Sequence, residues 1–241
     1  KNYVNEINIP TVPYIEIKDM EDLKSVNADF FPAILKTRKL GYDGKGQYII
    51  NSSKEIPEIP KNDYILEKKI NLQQEISIIA VRYQDGTIFT YQPIENVHKD
   101  QILFKSYSPA NSNQSIIEEA KNHAVNFAKK ISYVGTFCLE FFITDKNELL
   151  LNEIAPRVHN SGHLTIESYN VSQFESHLRS VCDLEKIKPL LRYKSEMTNI
   201  LGEDIYNYRD KEFKKDEYFH DYYKKESKIG RKMGHFTKIL A

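Results

Sequence analysis

Two glutamates, Glu140 and Glu153, stand in apolar strand-like runs at positions where a buried strand would carry no charge. The runs flank a polar turn, and a two-residue hairpin loop at Lys146 and Asn147 would place Glu140 directly opposite Glu153. Like charges that face each other across a β-ladder destabilise it. A cation between them reverses that effect, and Mg²⁺ binds one or two protein carboxylates together with phosphate oxygens. We therefore predict a metal-nucleotide site at this hairpin.

A glycine-rich stretch from Gly41 to Gly46 lies between two predicted strands, residues 31–36 and 47–50. Glycines allow tight turns and let backbone N–H groups approach phosphate oxygens. The stretch lacks the Gly-Lys-Ser/Thr of a P-loop and the spacing of a dinucleotide fingerprint, so a plain hairpin turn is the alternative. Lys36, at the end of the preceding strand, favours phosphate binding because its ammonium would lie beside the loop.

Glu67, Glu75 and His98 are each open to a structural and a functional interpretation. Glu67 ends an apolar strand, where a solvated strand end is common and the alternative is a carboxylate that meets a ring or ribose between two lobes. Glu75 and His98 are either surface residues or structural residues held by hydrogen bonds. The alternative is that they belong to the same site between two lobes as Glu67. For each residue taken alone, we favour the structural interpretation.

A polar segment follows the second carboxylate and contains Arg157, His159, Asn160 and Ser161. An ordinary polar loop around Gly162 is the alternative. An Arg, a His and short hydrogen-bonding side chains beside a metal-phosphate site are, however, what an anionic substrate needs, and we favour that interpretation. By residue type His159 is also a candidate proton acceptor, unless it only binds the carboxylate.

The elements that position these residues are predicted from hydrophobic periodicity. Residues 64–70, 75–83 and 87–93 are predicted strands, with a hairpin turn at Asp85 and Gly86. Residues 114–131 have the period of an amphipathic helix, and a second helix is predicted over 172–182 with Phe174, Leu178 and Val181 directed inward. We predict a larger mixed domain to residue 183 and a small strand-rich domain after it. Within the latter, Arg231 and Lys232 are either a solvated basic turn or a phosphate-binding loop.

Composition limits the classes of function. The 241 residues include 34 basic and 34 acidic side chains, so the net charge gives no reason to expect nucleic acid or an anionic membrane as a partner. No apolar run approaches the ~18–20 residues of a membrane span. Cys138 and Cys182 suit neither a metal site nor a disulfide framework, and we expect buried thiols of a cytoplasmic protein. The chain starts at Lys1 without a methionine, and we expect that an N-terminal part is missing.

Lysine, glycine-rich loop, strand-end glutamate and paired carboxylates follow one another in an order that resembles the ATP-grasp superfamily. Within it, the chain is most similar to the N5-carboxyaminoimidazole ribonucleotide synthases, ATP-dependent carboxylases of bacterial and fungal purine biosynthesis. It departs from them at Val158, where Pro is usual, and at Tyr223, where Gly is usual. The segments that carry the resemblance are residues 36–47, 94–98, 150–163, 172–175, 177–179 and 230–235.

The resemblance implies an α/β (α+β) ATP-grasp fold with a small C-terminal β-rich domain. Residues 1–183 would form the ATP-grasp domain, with 31–70 as its smaller ATP-binding lobe, and 184–241 the C-terminal domain. The family's N-terminal Rossmann-like lobe would be absent from this chain. The activity implied is carboxylation of 5-aminoimidazole ribonucleotide by ATP and bicarbonate through carboxyphosphate. The alternatives are another ATP-grasp carboxylase or transformylase, and a non-catalytic nucleotide-binding fragment.

The resemblance also implies roles for individual residues and partners. It implies ATP and Mg²⁺ as cofactors, aminoimidazole ribonucleotide and bicarbonate as substrates, and a homodimer. Mg²⁺ would be held by Glu140 and Glu153, with Asn152 beside them. Catalysis would involve Arg157 and His159, and substrate would be bound by Asn160, Ser161, Lys224, Arg231 and Lys232. ATP would be bound by Lys36, Gly41, Tyr42, Asp43, Gly44, Lys45, Gly46, Gln47, Glu67, Glu75 and His98.

Overall fold

Two antiparallel β-sheets with helices packed against them form the protein, for which the computed structural model describes residues 1–39, 46–60 and 63–240. The helices are α1 (Asn2–Glu6), α2 (Met20–Ser25), α3 (Gln114–Lys130), α4 (Thr165–Ser168), α5 (Gln173–Val181) and α6 (Asp204–Arg209), with 3₁₀ turns at Ala28–Phe30 and Asn160–Leu164. The strands are β1 (Tyr14–Ile17), β2 (Ala33–Thr37), β3 (Gln47–Ile50), β4 (Tyr64–Lys68), β5 (Leu72–Arg82), β6 (Ile88–Thr90), β7 (Ile94–Lys99), β8 (Ile102–Ser108), β9 (Gly135–Thr144), β10 (Leu149–Ala155), β11 (Ser195–Leu201), β12 (Glu217–Asp221) and β13 (Lys232–Ile239).

The smaller sheet has the strand order β1-β4-β2-β3. It contains the strands predicted on either side of the glycine-rich stretch, and β1 adds an edge strand that lies before the predicted lobe of residues 31–70. One face of the sheet is closed by α2, whose first turn is capped by the side chain of Asp19. The core of this lobe consists of Ile17, Leu23, Ala33, Leu35, Ile50, Tyr64 and Leu66.

The larger sheet runs in the order β10-β9-β5-β7-β8-β11-β13-β12, and β6 pairs with β5 outside that path. The C-terminal strands extend this sheet, because β11 pairs with β8 from Ser195 opposite Ser108 onward. The combination of helices with antiparallel sheets and of β-rich structure at the C-terminal end confirms the predicted fold class. Each of the two sheets presents one face to the space between them.

Helix α3 covers one face of the larger sheet, as the periodicity of residues 114–131 predicted. Its side chains Ile116, Ala120, Ala124 and Phe127 are buried against alternate residues of the strands beneath. Asn113 caps the helix by accepting a hydrogen bond from the Ser115 backbone N–H at 3.0 Å. Since side chains alternate along a strand, the residues between the core positions of β5 are directed to the opposite face, where the polar site lies.

Helix α5 forms where it was predicted, but its predicted inward face is wrong. Leu178 is 58% exposed and Val181 is 40% exposed, whereas Gln173, Ser176 and Ser180 are buried. The buried face is held by hydrogen bonds, such as the one between Ser176 Oγ and Tyr91 Oη at 2.7 Å. Hydrophobic periodicity cannot detect a helix that packs through satisfied polar groups.

Two Leu→Ala changes test this orientation. Leu139→Ala, in the fully buried centre of β9, is expected to lower the free energy of unfolding by about 2–5 kcal/mol. Leu178→Ala deletes the same atoms from a helix face that is exposed in the single chain, and at concentrations that keep the chain monomeric it is expected to change this free energy by less than about 0.5 kcal/mol. Urea unfolding followed by circular dichroism measures both values. Similar losses for the two variants would restore the inward prediction for Leu178.

The cysteines and helices bear on the predictions drawn from composition. Cys138 and Cys182 are both free thiols, Cys138 buried and Cys182 exposed. The expectation of a buried thiol is therefore wrong for Cys182, which follows the last turn of α5 on its outer side. Among the helices in the described part of the chain, none has the length and apolar character needed to cross a bilayer.

Candidate active site

The hairpin of β9 and β10 sets Glu140 directly opposite Glu153, as predicted, but with a different loop and a β-bulge. The loop has three residues, because Thr144 N–H donates to the Glu148 carbonyl at 3.0 Å and Asn147 adopts a positive φ of 62°. That loop alone would pair Glu140 with Asn152. A β-bulge between Leu151 and Glu153 shifts the register by one residue and restores the glutamate pair. The predicted two-residue loop is wrong, and the predicted opposition is confirmed.

The glutamate pair is electrostatically unfavourable without a cation. Burial and the neighbouring charge of Glu153 raise the pKa of Glu140 to about 7, although the positive charges of His98 and Lys232 oppose the shift. Because of the bulge, Asn152 and Glu153 both face the same cleft as Glu140. These oxygen donors suit a hard divalent cation that completes its shell with phosphate oxygens. Within residues 1–39, 46–60 and 63–240, no cluster of three or more His, Cys, Asp or Glu side chains is arranged to hold a metal.

A cleft of about 580 Å³ lies between the two sheets and gathers most of the predicted site residues. Its walls come from β2, β3 and β4 of the smaller sheet and from β5, β7, β8, β9, β10 and β13 of the larger one. The predicted residues that line it are Lys36, Gln47, Glu67, Glu75, His98, Glu140, Asn152, Glu153, Arg157, His159, Asn160 and Lys232. Residues separated by almost the whole chain thus meet in one cavity.

Glu67 forms a buried charge cluster with two lysines at the wall of this cleft. The carboxylate is only 4% exposed and pairs with Lys36 Nζ at 2.7 Å and Lys1 Nζ at 3.0 Å. The solvated strand end that we favoured for Glu67 is therefore wrong. Burial lowers the pKa of Lys1, and the charge of Glu67 counteracts the shift. Lys1 was not among the predicted site residues, because it belongs to no motif and is recognised only through this contact.

Gly46 directly precedes β3, and Gln47 begins that strand beside these charges. Gly46 has a φ of +76°, and a Cβ at this position would lie 2.5 Å from Thr37 Oγ1, so a side chain is excluded on two grounds. Gln47 lies opposite Lys36 in the β2–β3 ladder, and both side chains face the cleft. The predicted site residues 41–45 lie outside the residues that the structure describes.

His98 and Glu75 form an ion pair on neighbouring strands, with 2.9 Å between His98 Nδ1 and Glu75 Oε2. Burial alone would lower the pKa of His98, but the hydrogen bond to Glu75 and the charges of Glu75 and Glu140 raise it above its ordinary value. Both residues line the cleft as an ion pair, and their functional role stays a prediction. His98 lowers the pKa of Glu140, whereas the charge of Glu75 raises it, so the two members of the pair act on Glu140 in opposite directions.

Glu75→Gln is expected to bring the pKa of His98 below its ordinary value, since burial then acts without the paired charge. The pH titration of the His98 ring protons by NMR measures the shift. His123→Gln, at a partly buried histidine on α3, is the control and should leave the His98 titration unchanged. An unchanged His98 titration in Glu75→Gln would contradict the assigned cause.

His159 is held on all sides at the centre of the site. Its Nε2 lies 3.3 Å from Glu140 Oε1, and its Nδ1 lies 2.9 Å from Ser161 Oγ. Gln173 clamps the backbone by accepting from His159 N–H at 2.9 Å and donating to its carbonyl at 2.6 Å. Burial, with smaller contributions from Arg157 and other positive groups, lowers the pKa of His159 to about 3. The ring is therefore neutral over the physiological pH range.

Three predicted substrate residues do not line the cleft. Ser161 is completely buried behind His159. Lys224 Nζ donates to the Lys232 carbonyl at 2.6 Å, and the exposed Arg231 donates to the Glu226 carbonyl at 3.0 Å. Direct contact of these side chains with a ligand in the cleft would require them to move from these positions, whereas Lys232 already faces it.

Asn160, by contrast, is fixed in the cleft by a residue that the sequence analysis missed. Its side-chain amide exchanges two hydrogen bonds with that of Asn199, at 2.9 and 2.7 Å. Asn199 is buried on β11, so the C-terminal strands help to shape the site. No sequence signal pointed to Asn199, because the two asparagines are 39 positions apart.

Comparison with known proteins gives two family matches and a consistent set of relatives. Residues 2–174 match the ATP-grasp domain, and residues 195–241 match the phosphoribosylaminoimidazole carboxylase C-terminal domain. An N5-carboxyaminoimidazole ribonucleotide synthase of Bacillus subtilis (strain 168) is 38% identical, over 98% of this chain and 64% of its own length. The chain therefore spans slightly less than two thirds of that relative.

Two solved structures from Aspergillus clavatus share the fold. A carboxyaminoimidazole ribonucleotide synthase complexed with ATP is 30% identical with a TM-score of 0.92, covering 99% of this chain and 66% of that one. An N5-carboxyaminoimidazole synthase in complex with ADP and 5-aminoimidazole ribonucleotide is 29% identical with a TM-score of 0.91, at the same coverage. The predicted ATP-grasp fold is confirmed.

Proposed function

We propose that this chain, which belongs to the ATP-grasp family, carries out the ATP- and bicarbonate-dependent carboxylation of 5-aminoimidazole ribonucleotide to N5-carboxyaminoimidazole ribonucleotide. The observation that carries the proposal is the cleft between the sheets, where lysine ammonium groups, two opposed carboxylates and the polar segment of residues 157–160 meet. The resemblance of the chain to synthases of this activity over 98% of its length supports the same assignment.

ATP would lie between the two sheets. Lys36, Gln47 and the glycine-rich loop with Gly41, Tyr42, Asp43, Gly44, Lys45 and Gly46 would bind its phosphates. Glu67, Glu75 and His98 would lie near the nucleoside. The support is the position of Lys36, Gln47, Glu67, Glu75 and His98 around one cavity.

Mg²⁺ would be held by Glu140 and Glu153, with Asn152 beside them. The fit rests on two observations: the two glutamates lie opposite each other in the ladder, and the pKa of Glu140 is raised. A bound cation would offset the repulsion between the two carboxylates and would lower that pKa. When bound, the ion neutralises the charge that develops on the transferred phosphoryl group. One or two protein carboxylates are typical for Mg²⁺ that also binds phosphate.

The substrates would occupy the other end of the cleft. Arg157, His159 and Asn160 would bind bicarbonate and the aminoimidazole, and Lys232 the ribose phosphate. Lys224 and Arg231 would act near that phosphate, Lys224 by holding the Lys232 backbone. Ser161 would act through His159 rather than by touching substrate.

The proposed reaction has two steps. Bicarbonate oxygen takes the γ-phosphoryl group of ATP, which gives carboxyphosphate and ADP. The exocyclic amine of the aminoimidazole then forms a C–N bond to the carboxyl carbon, with loss of a proton from nitrogen and release of phosphate. The protein's part is to hold the reactants in line and to exclude water from the reactive mixed anhydride.

A substrate-omission assay tests the proposal. ADP release by the full-length protein should require both bicarbonate and 5-aminoimidazole ribonucleotide. ADP release with another acceptor in place of the aminoimidazole would favour a different ATP-grasp carboxylase or transformylase. Nucleotide binding without any substrate-dependent ADP release would favour a non-catalytic nucleotide-binding fragment.

We further propose a homodimer in the cytoplasm. The exposed apolar side chains Leu178, Val181 and Leu184 would gain from coverage by a second copy. Two free thiols in Cys138 and Cys182 suit a reducing compartment. Light scattering of the wild type and of Leu178→Glu tests the proposed homodimer, because a charge in the interface should yield monomers.

A further inference from the structure

A row of buried polar side chains crosses the larger sheet behind His159. Ser106 lies on β8, Asn96 on β7 and Ser77 on β5, and Ser161 follows in the 3₁₀ turn. The four side chains are between 0 and 5% exposed. Buried polar groups lower the stability of a fold unless they are hydrogen-bonded. A continuous row of four such groups is therefore unlike ordinary core packing and indicates a specific role.

Hydrogen bonds connect the four side chains of this row to His159. Ser106 Oγ donates to Asn96 Oδ1 at 3.0 Å, and Asn96 Nδ2 donates to Ser77 Oγ at 3.1 Å. Ser77 Oγ and Ser161 Oγ lie 2.7 Å apart, and either hydroxyl could be the donor in that contact. Ser161 Oγ in turn lies 2.9 Å from His159 Nδ1.

A backbone contact at His159 gives the row its direction, because if Nδ1 is an acceptor then Ser161 Oγ donates to it and Ser77 Oγ donates to Ser161 Oγ. The Ser161 backbone N–H donates to His159 Nδ1 at 3.4 Å, and an N–H group can only donate. His159 Nδ1 is therefore an acceptor and carries no proton. In the neutral ring the single proton lies on Nε2, which is 3.3 Å from a Glu140 oxygen.

We propose that Ser161, Ser77, Asn96 and Ser106 are positioning residues that fix the Nε2–H tautomer of His159. His159 then meets the cleft as a hydrogen-bond donor, and it does not accept the proton released by the substrate amine. Its partners are the Glu140 carboxylate and, where the proposed function holds, an oxygen of bicarbonate. Residues that act through His159 in this way orient its N–H donor without contacting the ligand themselves.

The tautomer itself is measured by ¹H–¹⁵N NMR of the full-length protein with ¹⁵N-labelled histidine, and His159→Gln assigns the signal. The wild type is expected to show the pattern of a neutral ring protonated at Nε2. A ring protonated at Nδ1, or at both nitrogens, at neutral pH overturns the proposal. This measurement needs no variant other than the assignment standard.

Ser77→Ala tests the far part of the row. Without the hydrogen bond from Ser77, the Ser161 proton can turn away from His159 Nδ1, which leaves only the 3.4 Å backbone contact to disfavour Nδ1–H, and the Nδ1 tautomer should rise to at least about a tenth of the molecules. Ser195→Ala is the matched control, since Ser195 is equally buried on β11 of the same sheet but outside the row, and it should leave the tautomer unchanged. An unaltered His159 pattern in a folded Ser77→Ala protein overturns the role of Ser77, Asn96 and Ser106.

Turnover separates this inference from the proposed function. Ser77→Ala is expected to lower kcat by roughly 10-fold while the KM for ATP stays within about twofold, since the row reaches only His159. A protein that shows the Nε2–H tautomer and its loss in Ser77→Ala, but no carboxylation, would retain the tautomer assignment and refute the proposed function. Full kcat in a Ser77→Ala protein whose tautomer has shifted overturns the role of His159 as donor in the reaction.

Discussion

Glu153→Gln is expected to lower ATP-dependent turnover by about 100- to 1,000-fold and to leave the fold intact. Glu153 is exposed at the bulge of β10, so an amide of the same shape disturbs no core contact. What the variant loses is one of the two charges that would hold Mg²⁺ against the ATP phosphates. The measurement is steady-state ADP release, with circular dichroism to confirm the fold.

Glu140→Gln separates the charge of the pair from its structural role. The pKa of Glu140 is raised to about 7, so the folded chain binds this proton more tightly than the unfolded chain does. The stability of the metal-free protein therefore falls as the pH rises from about 4.5 to about 7. At pH 8, Glu140→Gln should raise the free energy of unfolding by about 1–3 kcal/mol and should still abolish turnover.

The two variants share a control in the same hairpin. Glu148→Gln removes an exposed carboxylate from the turn and should change neither turnover nor the pH profile of stability. Wild-type turnover in Glu153→Gln would refute the metal assignment. A Glu140→Gln protein that is no more stable than the wild type at pH 8 would refute the electrostatic cost of the pair.

The sequence predicted the glutamate pair because two errors cancelled. Residue types showed that a charge stood in each strand, and a two-residue loop aligned them. The chain instead forms a longer loop with Asn147 in a left-handed conformation and compensates with a bulge. Loop length and bulge both depend on tertiary contacts, so neither could be predicted from local pattern. The longer loop and the bulge shift the pairing by one residue in opposite directions, and for that reason the predicted pairing of Glu140 with Glu153 was correct.

The strands that the sequence analysis missed are among those that carry the site. Strands β7 and β8 contain Asn96, His98, Lys105 and Ser106, which break the hydrophobic pattern of a strand. The same polar residues form the ion pair with Glu75 and the row behind His159. Local rules fail where function requires polar groups in a core. Contacts such as Ser77 with Ser161, 84 positions apart, have no local signal at all.

Lys36→Met is expected to weaken ATP binding by about 10- to 150-fold, the loss of one charge-assisted hydrogen bond of about 1.5–3 kcal/mol. Methionine keeps the apolar stem of the lysine, which is 21% exposed, and removes only the ammonium. Glu67 keeps its second partner, since Lys1 Nζ lies 3.0 Å from the other carboxylate oxygen. Isothermal titration calorimetry with ATP, ADP and adenosine measures the effect.

The three ligands distinguish a phosphate contact from a nucleoside contact. Lys36→Met should weaken ATP and ADP far more than adenosine, because adenosine has no phosphate for the ammonium to bind. Glu67→Gln should instead weaken all three by a similar factor, since Glu67 is assigned to the nucleoside. Lys54→Met, at an exposed lysine of the same lobe, is the control and should leave every affinity unchanged. An equal loss for adenosine and ATP in Lys36→Met would mean that Lys36 acts by holding Glu67, and the phosphate assignment would then fall.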